Sequence, residues 1–138
     1  MKDVIGALRN WIAAQAEVSA LVGTRVFVNR IPRATIEAQD TFHPLKILVL
    51  RQAGGSPKAD LLVTDDQTVI ILCYGESDLE ADSVRRAVWE KFVNLDRVRQ
   101  DTVLFYHVNP TGGPVPNVEP DLVWPAVAQN FTVKASVL

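Results

Sequence analysis

The sequence predicts an α+β fold: a single mixed β-sheet with two α-helices packed on one face, in the order α-β-β-β-α-β-β. Three observations predict it. Apolar residues recur at helical spacing in two stretches, one near the N-terminus and one after Ser77. Short runs rich in Val, Ile and Phe, bounded by Gly, Pro, Asn and Asp, read as strands between and after them. The chain has 138 residues, the size of one domain spanning 1–138. A chain of that length buries about 65–70% of its unfolded surface and needs no disulfide or metal to hold a core.

The first helix runs from about Lys2 to Ala16. Val4, Ile5, Leu8, Trp11, Ile12 and Gln15 recur at three- and four-residue steps, and Arg9 and Asn10 fall on the polar side. Asp3 sits in the first turn, where a carboxylate suits the positive end of the helix dipole. Ser19 to Val22 adds a short turn that Gly23 ends. Arg25 to Asn29 is a first strand, terminated by Pro32. Arg33 to His43 is polar and mixed, a surface loop with a turn of helix near Ile36 to Gln39.

Pro44 introduces a second strand, Leu45 to Gln52, which Gly54-Gly55-Ser56-Pro57 breaks. Lys58 to Asp66 is a connector with Asp65-Asp66 as a turn. The third strand, Thr68 to Tyr74, is continuously apolar, which places it centrally and covered on both faces. Ser77-Asp78-Leu79-Glu80 is a capping box that opens the second helix, which runs to about Leu95. Val84, Ala87, Val88, Phe92 and Leu95 form its buried stripe, widened by Trp89 and Val93, while Arg85, Arg86, Glu90 and Lys91 face water. Val103 to Val108 is a fourth strand. Asn109 to Pro125 is a long loop with five prolines and the pair Gly112-Gly113, of a length that tends to be functional or mobile. In the last strand Phe131, Val133, Ala135 and Val137 alternate with Asn130, Thr132, Lys134 and Ser136, so one side faces water.

Composition narrows the function. Hydrophobic residues make up 48% and charged residues 22%, ordinary for a globular domain. Fourteen basic against sixteen acidic residues give a net charge of −2, which argues against a dedicated binder of nucleic acid or anionic membrane. No apolar run approaches the ~20 residues of a membrane-spanning helix. The start Met1-Lys2-Asp3 leads into a one-sided helix rather than a signal peptide, so the expected compartment is a reducing cytoplasm.

Residues that carry chemistry are few. His43 with Asp40 suggests a metal or acid–base pair, yet a metal site needs three or four converging ligands, and a solvated loop histidine is the plainer reading. His107 beside Tyr106 reads as a half-buried strand residue. Cys73, the one cysteine, sits among apolar neighbours and reads as an inert core thiol. No cofactor is expected. Trp11 and Trp89 are expected to meet in the core, whereas Trp124 reads equally as core or as an interface anchor. Apolar residues on both faces of the middle strands require a second cover, from the long loops or from another copy of the chain.

The layout of the chain resembles the small tail-completion, or tail-terminator, proteins of long-tailed bacteriophages and gene-transfer particles. The resemblance rests on three places. The first is the N-terminal helix followed by Val22-Gly23-Thr24-Arg25-Val26-Phe27 and Ile31-Pro32. The second is a strand ending Cys73-Tyr74-Gly75-Glu76-Ser77 that runs straight into a helix, and the third is the final strand with Phe131-Thr132-Val133. The resemblance implies a non-enzymatic virion protein that forms a homo-oligomeric, six-fold ring on the head-proximal end of the tail tube. Such a ring stops tube polymerisation and joins the head connector, and DNA passes through its lumen without specific binding. Implied partners are a second copy, the tail tube protein and the connector protein, with no membrane; the implied place is the neck of the virion tail, after assembly in the host cytoplasm. The expected assembly interface comprises Arg30, Arg33, Asp65, Asp66 and Trp124. A connector-side stopper or adaptor is the nearest alternative, with a small regulatory binding domain beyond it.

Overall fold

Residues 4–39, 44–56, 64–117 and 124–137 are described by a computed structural model of the chain. Asp3, Asp40, His43 and residues 57–63 with Asp60 lie outside them, as do 118–123 of the Pro-rich segment. The N-terminal apolar stripe forms two helices rather than one: α1 (Val4–Ala13) and α2 (Ala16–Val22). The amides of Ala14 and Gln15 bond to Trp11 and Ile12, three residues back, which tightens the last turn and ends α1 there. Gly23, at φ +59°, closes α2 and donates its N–H to Ser19 O at 2.8 Å.

The remaining elements are β1 (Val26–Val28), α3 (Arg33–Ala38), β2 (Ile47–Ser56), β3 (Thr64–Tyr74), α4 (Asp78–Val93), β4 (Val98–Gln100), β5 (Val103–Pro110), β6 (Val115–Asn117) and β7 (Ala126–Val137). They form one sheet in the order β1-β2-β3-β7-β5-β4, with β6 on β7 beyond the end of β5. β1 runs parallel to β2 and every other pair is antiparallel, so the α+β class and the mixed sheet hold. β3 is central, between β2 and β7.

Several boundaries differ from those expected. The Gly54-Gly55 pair does not end β2; pairing with β3 shifts register between Gln52 and Gly55 and resumes. Glycine accommodates such an irregularity without ending the ladder. Asp65 and Asp66 therefore lie in β3, opposite Ala135 and Lys134 of β7, and are not a turn. A short hairpin, β4–β5, turns through Asp101 at φ +55° and was not foreseen. The Pro-rich segment is not all loop. β5 reaches Pro110, residues 111–114 bulge outward, and β6 resumes pairing with Ala126 to Ala128 of the same strand. Prolines fit there because the far side of that stretch is a sheet edge, where a missing N–H costs little.

Alternation along the strands separates two apolar layers. Leu48, Leu50, Val69, Ile71, Cys73, Phe131, Val133 and Ala135 face α1, α2 and α4, meeting Leu8, Ile12, Val18, Val84, Val88 and Phe92. Each such side chain contributes about 1.5–3 kcal/mol when fully buried. On the reverse face Ile47, Val49, Leu72, Tyr74 and Ala126 are buried under Ile31 and Trp124, with Ile36 of α3 against them. Among the described residues, helices therefore lie on both faces: α1, α2 and α4 on one, and the short α3 on the other. The long loops supply the second cover at this end of the sheet. Towards the other end β7 shows water Asn130, with Thr132 and Lys134 half-buried, as its alternation predicts, whereas Ser136, expected on the same side, is buried with its Oγ 3.2 Å from Tyr106 Oη.

Two consecutive residues of α1 tie down both edges of the sheet. Arg9 Nε donates to Val26 O of β1 at 3.0 Å, and Asn10 Nδ2 donates to Asp101 Oδ2, beside β4, at 3.2 Å. The sheet curls around α1 as a result, and neither residue is idle surface. Ser77 caps α4 as expected, its Oγ accepting from Glu80 N at 3.3 Å, while Glu80 Oε2 takes the amide of Glu76 rather than that of the cap itself.

Candidate assembly interface

The segment that leaves β1 is shaped by Asn29, which adopts φ +68°, a conformation Asn tolerates better than most residues. Its N–H donates to Leu50 O at 2.8 Å, its Oδ1 accepts from Gln52 N at 3.4 Å, and its carbonyl accepts from Arg51 Nε at 3.2 Å. The chain is thereby turned across the edge of the sheet into Arg30-Ile31-Pro32. Ile31 is buried on the reverse face, and Pro32 opens α3. Between β1 and α3 lies an open groove of about 530 Å³, lined by Val28, Arg30, Ile31, Pro32, Arg33 and Ile36.

The sequence-predicted interface residues separate into three places. Arg30 and Arg33 are together on the rim of this groove, both exposed. Arg33 Nε meets Glu37 Oε1 at 3.0 Å one helical turn on, an exposed pair of the kind that contributes little. Asp65 and Asp66 are in β3, at the opposite end of that strand from Tyr74. Trp124 is 3% exposed and meets Tyr74 edge-on at 6.4 Å between ring centroids, so in this chain it is core. Its role is to hold the α3 side of the sheet, not to present an aromatic outward.

Sequence reasoning missed a polar chain that crosses the helix face. Asp82 Oδ1 accepts from Arg85 Nε at 2.6 Å, Arg85 Nη1 donates to Gln129 Oε1 at 3.0 Å, and Gln129 Nε2 donates to Gly112 O at 3.1 Å. Arg85 is thus not a water-facing residue: its side chain is 14% exposed. The signal for it was Gln129, which stands in phase with Phe131, Val133 and Ala135. Trp89 also departs from expectation. It is 39% exposed, and Trp11 stacks instead on Phe92, at 6.1 Å.

Cys73 is fully buried, and desolvation pushes its thiol well above the ordinary range; Arg85 opposes the shift and Asp82 adds to it. His107 Nδ1 faces Asn109 Nδ2 at 3.1 Å near the register shift in β5. No grouping of three or more His, Cys, Asp or Glu able to hold a metal occurs among the described residues. No helix among them is long and apolar enough to cross a membrane.

No protein-family model matches the chain, and no curated protein matches it. Among solved structures it is similar to a chain in the virion of a native gene transfer agent (GTA) particle. The two superpose with a TM-score of 0.65 over 99% of each chain, at 17% sequence identity. At that identity the likeness establishes a shared fold, from the first helix to the last strand.

Proposed function

We propose that this chain is a structural virion protein of the tail-terminator type, which forms a ring on the head-proximal end of a tail tube, stops its growth and joins it to the head connector. The observation that carries this reading is the likeness of fold to a chain of a gene transfer agent virion, which covers 99% of each chain. The resemblance at Val22 to Phe27, Ile31-Pro32 and Cys73 to Ser77 points the same way. The fold suits such a role, because a curled sheet with its two edges tethered to α1 is a rigid unit that ring contacts can load. Unlike surfaces on one subunit give heterologous contacts, which close into rings when the rotation allows.

Electron microscopy of particles made without this gene tests the proposal. Filled heads beside detached tails of variable, excessive length are the expected result. Detached tails of normal length would move the protein to the connector side as a stopper or adaptor. Intact infectious particles would refute a structural role.

A further inference from the structure

Among the described residues the most exposed large apolar side chain belongs to α4. Leu79, in the first turn of α4, is 78% exposed. It touches neither apolar layer and stands among Glu76, Asp78 and Asp82. Carboxylates at a helix start are expected from the dipole; a bare leucine among them is not. The groove between β1 and α3 has the complementary character. Its walls, Val28, Ile31, Pro32 and Ile36, are apolar, and its rim carries Arg30 and Arg33. Around Leu79 the chain carries Glu76, Asp78, Glu80 and Asp82, of which Asp82 is already paired with Arg85 and Arg86, so Glu76, Asp78 and Glu80 supply the negative charge facing outward from this turn. The two surfaces lie on opposite sides of the sheet, because α4 packs on one face and Ile31 and Ile36 on the other.

We infer that the β1–α3 groove of one subunit receives Leu79 and the acidic first turn of α4 from a second copy of this chain. The inference rests on the ring reading and deepens it by naming the contact. An apolar side chain in an apolar groove supplies the anchor, and the arginine rim against the carboxylates fixes orientation and speeds encounter. Surfaces on opposite sides of one sheet cannot pair symmetrically across a two-fold axis. The contact therefore runs head to tail and leaves one groove and one leucine free until the ring closes. Arg33 gives up only its weak exposed partner Glu37 on docking.

The test uses two variants of the full chain, each changed only at exposed positions: Leu79→Asp, and Arg30→Glu with Arg33→Glu. Sedimentation velocity is run on wild type, each variant and their equimolar mixture. Wild type is expected to form a closed oligomer, and each variant alone to lose self-association by about thirtyfold or more. The mixture is expected to form a one-to-one dimer and nothing larger, since only the groove of L79D and the leucine of the other variant can meet. Unchanged oligomers in either variant would overturn this contact and leave the ring reading standing. Two monomeric variants that fail to complement would also overturn it, as would a wild-type chain that stays monomeric at millimolar concentration. The ring reading itself is judged separately, from tail length in particles lacking the gene.

Discussion

Arg85 of α4 donates to the side-chain oxygen of Gln129 in β7 at 3.0 Å, and the same amide then donates to the carbonyl of Gly112 at 3.1 Å. One buried amide thus joins the main surface helix to the bulge between β5 and β6. Gln129→Ala removes both bonds, leaving Arg85 on Asp82 alone and the Gly112 carbonyl to solvent, which is expected to cost about 1 kcal/mol in urea unfolding. Gln129→Glu keeps an acceptor for Arg85 but loses the donor to Gly112. Its expected signature is faster amide exchange in 111–115 with α4 unchanged, a separation that simple loss of stability would not produce.

How far the sequence could be read depended on how local each cause was. The start of α4 is legible because a cap and its partner lie within four residues, and β3 because an unbroken apolar run has one common explanation. The polar chain from Asp82 to Gly112 is not legible, because Arg85 and Gln129 are 44 positions apart and each alone resembles a surface residue. Residues 111–117 read as loop because Pro and Gly dominate them; the pairing of 115–117 with β7 comes from tertiary context that outweighs local preference. Of the residues expected at the interface, Arg30 and Arg33 meet on one groove because they flank Pro32. Trp124 could not be placed, since its partner Tyr74 is remote in sequence.

Gly75 is held by space rather than by dihedral angle. A Cβ there would come within 2.8 Å of Ala81 N and 2.9 Å of Glu80 Cβ, atoms of the helix that β3 runs into. Backbone cannot yield as a flexible side-chain tip does. Gly75→Ala is expected to destabilise the fold by about 1–3 kcal/mol by overpacking. Gly112→Ala, where nothing lies within 4 Å, serves as the control for the alanine itself in the same denaturation series.

The three tryptophans should be separable by fluorescence. Trp89 is 39% exposed on α4, Trp124 is buried against Tyr74, and Trp11 stacks on Phe92. Iodide is expected to quench one fraction of the native emission, and Trp89→Phe to abolish that fraction with a stability change within about 0.5 kcal/mol. Trp11→Ala, by contrast, removes a ring packed on the core and is expected to cost about 3 kcal/mol. Equal quenching of wild type and Trp89→Phe would place Trp89 elsewhere.

Cys73 is expected to weaken the fold at alkaline pH. Its thiol is fully buried on the helix face of β3, and desolvation raises its pKa above the ordinary value of 9.0 in spite of the nearby Arg85. A raised folded value means that the native state keeps a proton that the unfolded chain releases. The contribution to stability is fully present below pH 9 and declines as pH rises above it, by about 1.4 kcal/mol per pH unit until the folded thiol itself titrates. Urea midpoints measured from pH 7 to pH 10.5 are expected to be flat and then to fall. Cys73→Ala should start lower, from the small cavity it leaves, yet lose less over the same alkaline range. A thiol reagent at pH 8 should label Cys73 only as fast as the chain opens, so its rate should rise with urea in step with unfolding. Prompt labelling of the native protein would mean that β3 is not covered on its helix face, which would contradict the central place of that strand in the sheet.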